Sequence, residues 1–215
     1  MSSPTNQPDN RQRIAHAAER IIREHGVGGL TMRRLADAAN VALKTPYNLY
    51  GSKTAVLIAL LETATAPLIA DLDGEEGGSM LLKLIDILHK TGETFAADES
   101  YFRDIFWEVM TSDHPEARAA AHGRITQLVI LRVAMAKEAG EVQAAINSET
   151  FGGQLGLNLL ATMGSWAGGH LGIVEAMNHT RVVWASLIRD VVTPSASVVI
   201  DEVLTDAQMT LSERG

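Results

Sequence analysis

This 215-residue sequence predicts an all-α protein in which an N-terminal three-helix head precedes a larger helical-bundle body. Three observations predict it. Apolar residues recur at helical spacing nearly throughout, and no long run alternates apolar and polar residues as a half-buried strand does. Residues 30–53 read as two short helices joined by a tight turn, a helix-turn-helix. At 46% hydrophobic, the chain has enough apolar material for a sizeable core.

The elements follow in order. Residues 1–10 are polar with two prolines, lack the pattern of a signal peptide, and read as a mobile arm. Ile14, Ala17, Ala18, Ile21 and Ile22 form the stripe of a first helix. Thr31 is an N-cap for a second over 31–39, in which Leu35, Ala36 and Ala39 share the buried face. Asn40 tolerates the left-handed backbone of a sharp turn, Val41 plugs it from below, and helical residues resume near Leu43. Pro46 conflicts with a helix interior, a conflict removed if Thr45 is the N-cap and Pro46 the first helical residue. Ser52 caps a fourth helix with Val56, Leu57, Leu60 and Leu61 on one face, and Pro67 kinks or ends it. Residues 71–79, with three glycines and four acids, read as a loop. Further helices are predicted over 80–97, 101–112, 115–139, 148–173, 180–192 and 195–211, and no internal repeat is evident.

Two short helices joined this tightly cross steeply, so the second projects outward. Lys44, Thr45, Tyr47 and Asn48 on it carry donors suited to base edges and phosphates. Charge points the same way. Residues 1–55 hold eight Lys/Arg against four Asp/Glu, a balance of +4, whereas the remainder carries −12. The chain as a whole is acidic, at −8, yet it concentrates a basic footprint on the helix pair, which phosphate docking needs.

From about Arg11 to Leu61 the chain resembles the N-terminal domain of the tetracycline-repressor (TetR) family of transcriptional regulators. The matching pieces are Ile-Ala-His-Ala-Ala-Glu-Arg-Ile-Ile from Ile14, Gly26 at the end of that helix, Leu-Thr-Met-Arg-Arg-Leu-Ala from Leu30, and Thr-Pro-Tyr-Asn-Leu-Tyr-Gly-Ser-Lys from Thr45. About a quarter of the chain is covered. The resemblance implies DNA binding and says little about the signal. The candidate DNA-binding residues are Thr31, Arg33, Lys44, Thr45, Tyr47, Asn48 and Lys53. The chain also departs from the family. Asn40 stands where members usually have Gly, Ala42 where Ser or Thr commonly caps the recognition helix, Leu49 where a phosphate-contacting His is frequent, and Tyr50 where Phe is usual.

Residues 150–174 carry no charge, and Gly152, Gly156, Gly164, Gly168 and Gly172 sit at multiples of four, as in close helix contacts within bilayers. Gln154, Asn158, Ser165 and His170 within the segment and acidic flanks without an orientation signal argue against a membrane span. The better reading is a helix buried against the body and a second subunit. The resemblance implies that the last two long helices form a dimer bundle. The candidate interface residues are Gly156, Gly164, Gly168, Trp184, Leu187, Ile188 and Val191.

Catalysis finds little foothold. The absence of cysteine excludes disulfides, thiol catalysis and thiolate metal sites, and is compatible with a reducing cytosol. His89 with Glu93 is a lone helical pair, His114 and His122 lack further ligands, and no HExxH, GxSxG or phosphate-cradling glycine loop occurs. Phe102, Phe106, Trp107 and Met110, with Met163, Trp166 and His170, offer walls and polar handles for a small, mostly apolar or aromatic effector. The same stripes also read as plain core.

The sequence therefore predicts a mobile arm over 1–10, a DNA-binding domain over 11–61 with its linker helix starting near 53, and an effector-binding and dimerisation domain over 62–215. The expected function is that of a cytoplasmic, one-component transcriptional regulator, a repressor. It binds a double-stranded palindromic operator as a homodimer and is released by an effector, with no cofactor, metal, membrane or catalytic residue. The alternative is a helical small-molecule-binding or scaffold protein that does not read DNA. An enzyme using Glu108, His114 or His170 ranks third.

Overall fold

The computed structural model describes residues 9–74 and 78–212. They form ten α-helices and one short 3-10 turn, and the only β-type pairing among them is an isolated bridge between Val142 and Val192. The chain divides into two compact units, residues up to Thr63 with Ser100–Arg118, and Ala64–Glu99 with the chain from Ala119 onward.

In the first unit α1 spans Asn10–His25, so Asn10, the last residue of the expected mobile arm, instead starts the helix. Asp9 is its N-cap, accepting a hydrogen bond from the Arg11 amide, and residues 1–8 lie outside the described residues. Gly26, at φ +67, closes α1, and the turn Val27–Gly29 leads to α2, Met32–Ala38. Asn40 takes φ +51, the one positive φ among described non-glycine residues. The chain then re-enters helix as α3, Lys44–Tyr50, and α4, Lys53–Gly74. Ile14, Ala18, Leu30, Leu35, Ala36, Val56 and Leu57 are almost fully buried and form the core.

Two arginines of α1 serve this packing. Arg13 donates to the carbonyls of Ala39 and Asn40 at 2.7 Å each, and Arg20 to that of Ala38 at 3.2 Å. The last carbonyls of a helix have no partner within it, and guanidinium donors satisfy them. Part of the basic footprint is thus structural.

Residues 100–118 belong to the same unit and hold most of α6, Glu99–Met110. Tyr101 and Glu108, seven residues apart, share one face of α6, and Ser112 follows two residues after its end. Arg23 lies over the Tyr101 ring, 4.5 Å from its centroid. Lys53 meets Glu108, and the hydroxyls of Thr54 and Ser112 are 2.8 Å apart. Arg118 donates to the carbonyls of Met110 and Ser112 at 3.2 and 3.0 Å, closing the helix end.

In the second unit α9, Ile173–Arg189, packs against α5, Met80–Ala96, α8, Ser148–Ala167, and α10, Pro194–Ser212. Glycines set two of the spacings. A Cβ on Gly152 would sit 2.6 Å from the Ile130 Cα and one on Gly156 3.1 Å from the Thr126 Cα, so α8 runs close along α7, Pro115–Glu138. Trp184 is buried and donates from Nε1 to the Leu155 carbonyl at 3.1 Å. Glu141 receives Ser79 Oγ and the amides of Met80 and Leu81, holding the start of α5. Glu99 Oε1 accepts from Trp166 Nε1 and from the Ile173 amide at the start of α9.

Three expectations are corrected. Of the two outcomes expected at Pro67, a kink or an end, the end does not occur, since α4 runs on to Gly74, into the loop expected at 71–79. Pro67 and Thr63 are both exposed, which leaves water to satisfy the Thr63 carbonyl that loses its amide partner. Residues 75–77 of that loop lie outside the described residues. The uncharged segment 150–174 is not one helix. It breaks between Ala167 and Ile173, where Gly169 adopts φ +78, and α9 starts seven residues before the expected Thr180. Among the described residues neither α8 nor α9 is long and apolar enough to cross a membrane, whereas Lys53–Asp71 of α4 is so by length and composition alone.

Candidate nucleic-acid interface

The helix pair α2–α3 is built so that one side of α3 is anchored and the other is free. Thr31 Oγ1 accepts from the Arg34 amide at 3.2 Å, the N-cap that starts α2. The left-handed Asn40 lets the Val41 amide reach the Ala36 carbonyl at 3.0 Å, which locks the turn. Pro46 is the third residue of α3, not the first, and Thr45 lies inside the helix instead of capping it. The physical conflict vanishes all the same. Amides of the first helical turn have no intrahelical acceptor, so a residue without an N–H loses nothing there. Pro46 is buried and contributes to the underside of α3.

Gly51 at φ +81 returns its amide to the Tyr47 carbonyl at 2.8 Å and ends α3. Tyr50 is fixed from α1: its hydroxyl donates to the Arg11 carbonyl at 3.4 Å, and the Arg11 guanidinium lies 5.5 Å from its ring centroid. Burial raises the Tyr50 pKa, with Arg11 opposing. The hydroxyl therefore stays protonated and able to donate at neutral pH.

The outward face carries Lys44, Tyr47 and Asn48, all exposed, with Tyr47 at 50%. Thr45 is half-buried, and Thr31 and Arg33 are exposed on or beside α2. A half-exposed tyrosine beside an amide and an ammonium offers hydrogen-bond donors and an apolar ring together. Lys53 departs from this picture. Its Nζ lies 2.7 Å from Glu108 Oε1, so in this structure the ammonium already has an anionic partner. Sequence reasoning singled out Glu108 only as a residue of the third-ranked enzyme reading. Its pairing spans 55 residues, and no local pattern signals it.

The other candidates are distributed as follows. Phe102, Phe106, Trp107 and Met110 fall in the first unit, and Met163, Trp166 and His170 in the second. Phe106, Met163 and Trp166 are buried, and Phe102 and Met110 partly so. Trp107 and His170 are exposed. Among the interface candidates, Trp184 and Ile188 are buried within the chain's own second unit and Gly156 is occupied by Thr126, so these three face inward. Gly168 caps the end of α8, against the His170 ring. Gly164 has open space, Val191 is half-buried and Leu187 is exposed; the exposed large apolar side chains of α8 and α9 are Leu157, Val183 and Leu187. Among the described residues, no group of three or more His, Asp or Glu side chains could hold a metal ion.

Residues 14–60 match the family model of bacterial regulatory proteins of the tetR family. No curated protein matches the chain. Among solved structures, that of Thermus thermophilus FadR, a TetR-family repressor in complex with lauroyl-CoA, is similar at 22% identity and a TM-score of 0.67, covering 81% of this chain and 92% of that one. SmeT, repressor of the Stenotrophomonas maltophilia multidrug efflux pump SmeDEF, gives 17% identity and 0.64 over 88% and 93%. TylP, a TetR regulator from Streptomyces fradiae, gives 16% and 0.64 over 95% and 96%.

Proposed function

We infer that this chain, which belongs to the tetR family of bacterial regulatory proteins through residues 14–60, is a one-component transcriptional repressor. It binds a palindromic operator as a homodimer through α2 and α3 and is released by a small, mostly apolar or aromatic effector bound in its helical body. The observation that carries this reading is the division of α3 between a buried Pro46 and an exposed Lys44, Tyr47 and Asn48. Side chains free of internal bonds on a braced helix are what base-edge recognition requires. Pro46 at the third helical position leaves α3 intact, which weakens the alternative of a scaffold that kept the head without reading DNA.

A symmetric dimer reads two half-sites only when its recognition helices lie about 34–36 Å apart or at a related helical-turn multiple. An effector that favours another spacing lowers DNA affinity by its differential affinity for the two states. The lauroyl-CoA held by a protein of similar fold supports an effector with a long apolar part. Selection of bound fragments from random duplex DNA tests the function. Recovery of a two-fold symmetric sequence is expected, and failure to enrich any sequence over repeated rounds would overturn it.

A further inference from the structure

We propose that Glu108 competes with DNA phosphate for the Lys53 ammonium and thereby sets the affinity of the head for DNA. The inference rests on the DNA-binding reading above. Lys53 is the first residue of α4 and follows α3 after only Gly51 and Ser52, so it sits next in sequence to the candidate reading helix. Ser52 Oγ accepts the Ala55 amide at 3.1 Å and fixes this corner. A lysine at such a position adds one positive charge toward a phosphate backbone, except that here the charge is taken. Its Nζ is 2.7 Å from Glu108 Oε1.

The pair is neither deeply buried nor loose. The side chains remain 27% and 43% exposed, so water and another anion have access to the ammonium. Around it the geometry is held firmly. Four residues beyond Glu108, just past the end of α6, Ser112 hydrogen-bonds the buried Thr54, the residue after Lys53. Seven residues before Glu108, Tyr101 lies under Arg23. The segment 100–118 is thus strapped to the head at three points, of which only the middle one is an ion pair between full charges. Glu108 is a positioning residue for Lys53 that does not itself touch DNA. A displacement of the strap against the start of α4 transfers the ammonium between carboxylate and phosphate, and the charge presented to DNA changes by one.

The test uses the full chain and two duplexes: one recovered by selection and a scrambled one of the same composition. Binding is measured by fluorescence anisotropy over a range of salt concentrations. Glu108→Gln keeps the shape and removes the charge. It is expected to bind both duplexes about threefold to tenfold more tightly at 0.1 M salt, with the salt slope steeper by about 0.9 for each Lys53 freed. The gain should vanish in a Lys53→Ala background. Asp104→Asn, an exposed carboxylate on the same helix, controls for charge at a distance and should give a smaller gain. The charge-swapped double variant K53E/E108K keeps the pair and should fold but bind both duplexes more weakly. If the unmodified protein discriminates between the duplexes while E108Q binds no more tightly, or gains equally in the K53A background, the competition is refuted and DNA reading stands. If no variant discriminates between the duplexes, DNA reading itself fails and the competition with it.

Discussion

The Arg23 guanidinium lies 4.5 Å from the centroid of the Tyr101 ring, joining the last turn of α1 to the first turn of α6. Burial pushes the Tyr101 hydroxyl up to about 12, Glu19 adds to the rise and Arg23 opposes it. The folded chain therefore holds this proton more tightly than the unfolded chain. The resulting stability is present in full below pH 10 and is lost as pH rises from about 10 to about 12. Thermal unfolding of the native protein should show this alkaline loss, and Tyr101→Phe should diminish it while retaining the ring under Arg23. An unchanged alkaline profile in Tyr101→Phe would remove Tyr101 from the account.

Leu157, Val183 and Leu187 are 59%, 38% and 43% exposed on α8 and α9, two helices packed against each other. Val183 and Leu187, four residues apart, share one face of α9, and exposed apolar side chains of this kind favour burial against a second copy. Leu187→Glu is expected to shift the protein to monomer in analytical ultracentrifugation with helicity retained. A monomeric unmodified protein at micromolar concentration would contradict the dimer.

The glycines of α8 divide into two kinds. A methyl at Gly152 meets the Ile130 backbone at 2.6 Å, whereas one at Gly153 meets nothing within 4 Å. Gly152→Ala forces α7 and α8 apart and should destabilise the protein by about 1–3 kcal/mol, beyond any gain in helix propensity. Gly153→Ala has only the propensity gain and should stabilise it by about 0.5–1 kcal/mol. Urea unfolding of the two variants decides, and equal effects would show that the close α7–α8 approach is not what Gly152 serves.

What was legible in the sequence follows from the range of the interactions. Thr31 as a cap, Asn40 as a left-handed turn residue and the buried stripe of α1 depend on neighbours within four residues, and a local pattern reports them. Trp184 illustrates the limit. Its stripe is apolar either way, and only the Leu155 carbonyl 29 residues away settles that it packs within its own chain. Spacing likewise places Gly156 on a smooth helix face without revealing that Thr126 of α7 lies on it. The uncharged segment 150–174 misled by composition, because glycine both permits close packing and, at Gly169, breaks the helix. Arg13 and Arg20 count as basic footprint in any tally of charge, yet their guanidinium groups cap α2.

The central claim, that the exposed face of α3 reads duplex DNA, is tested most directly by comparing the native protein and Tyr47→Ala on a selected operator and on a scrambled duplex. Tyr47 is half exposed, so its truncation should leave thermal stability nearly unchanged. Affinity for the selected duplex should fall by about 1–3 kcal/mol, while affinity for the scrambled duplex changes little. Equal affinity of the native protein and Tyr47→Ala for the selected duplex, with both folded, would contradict the account.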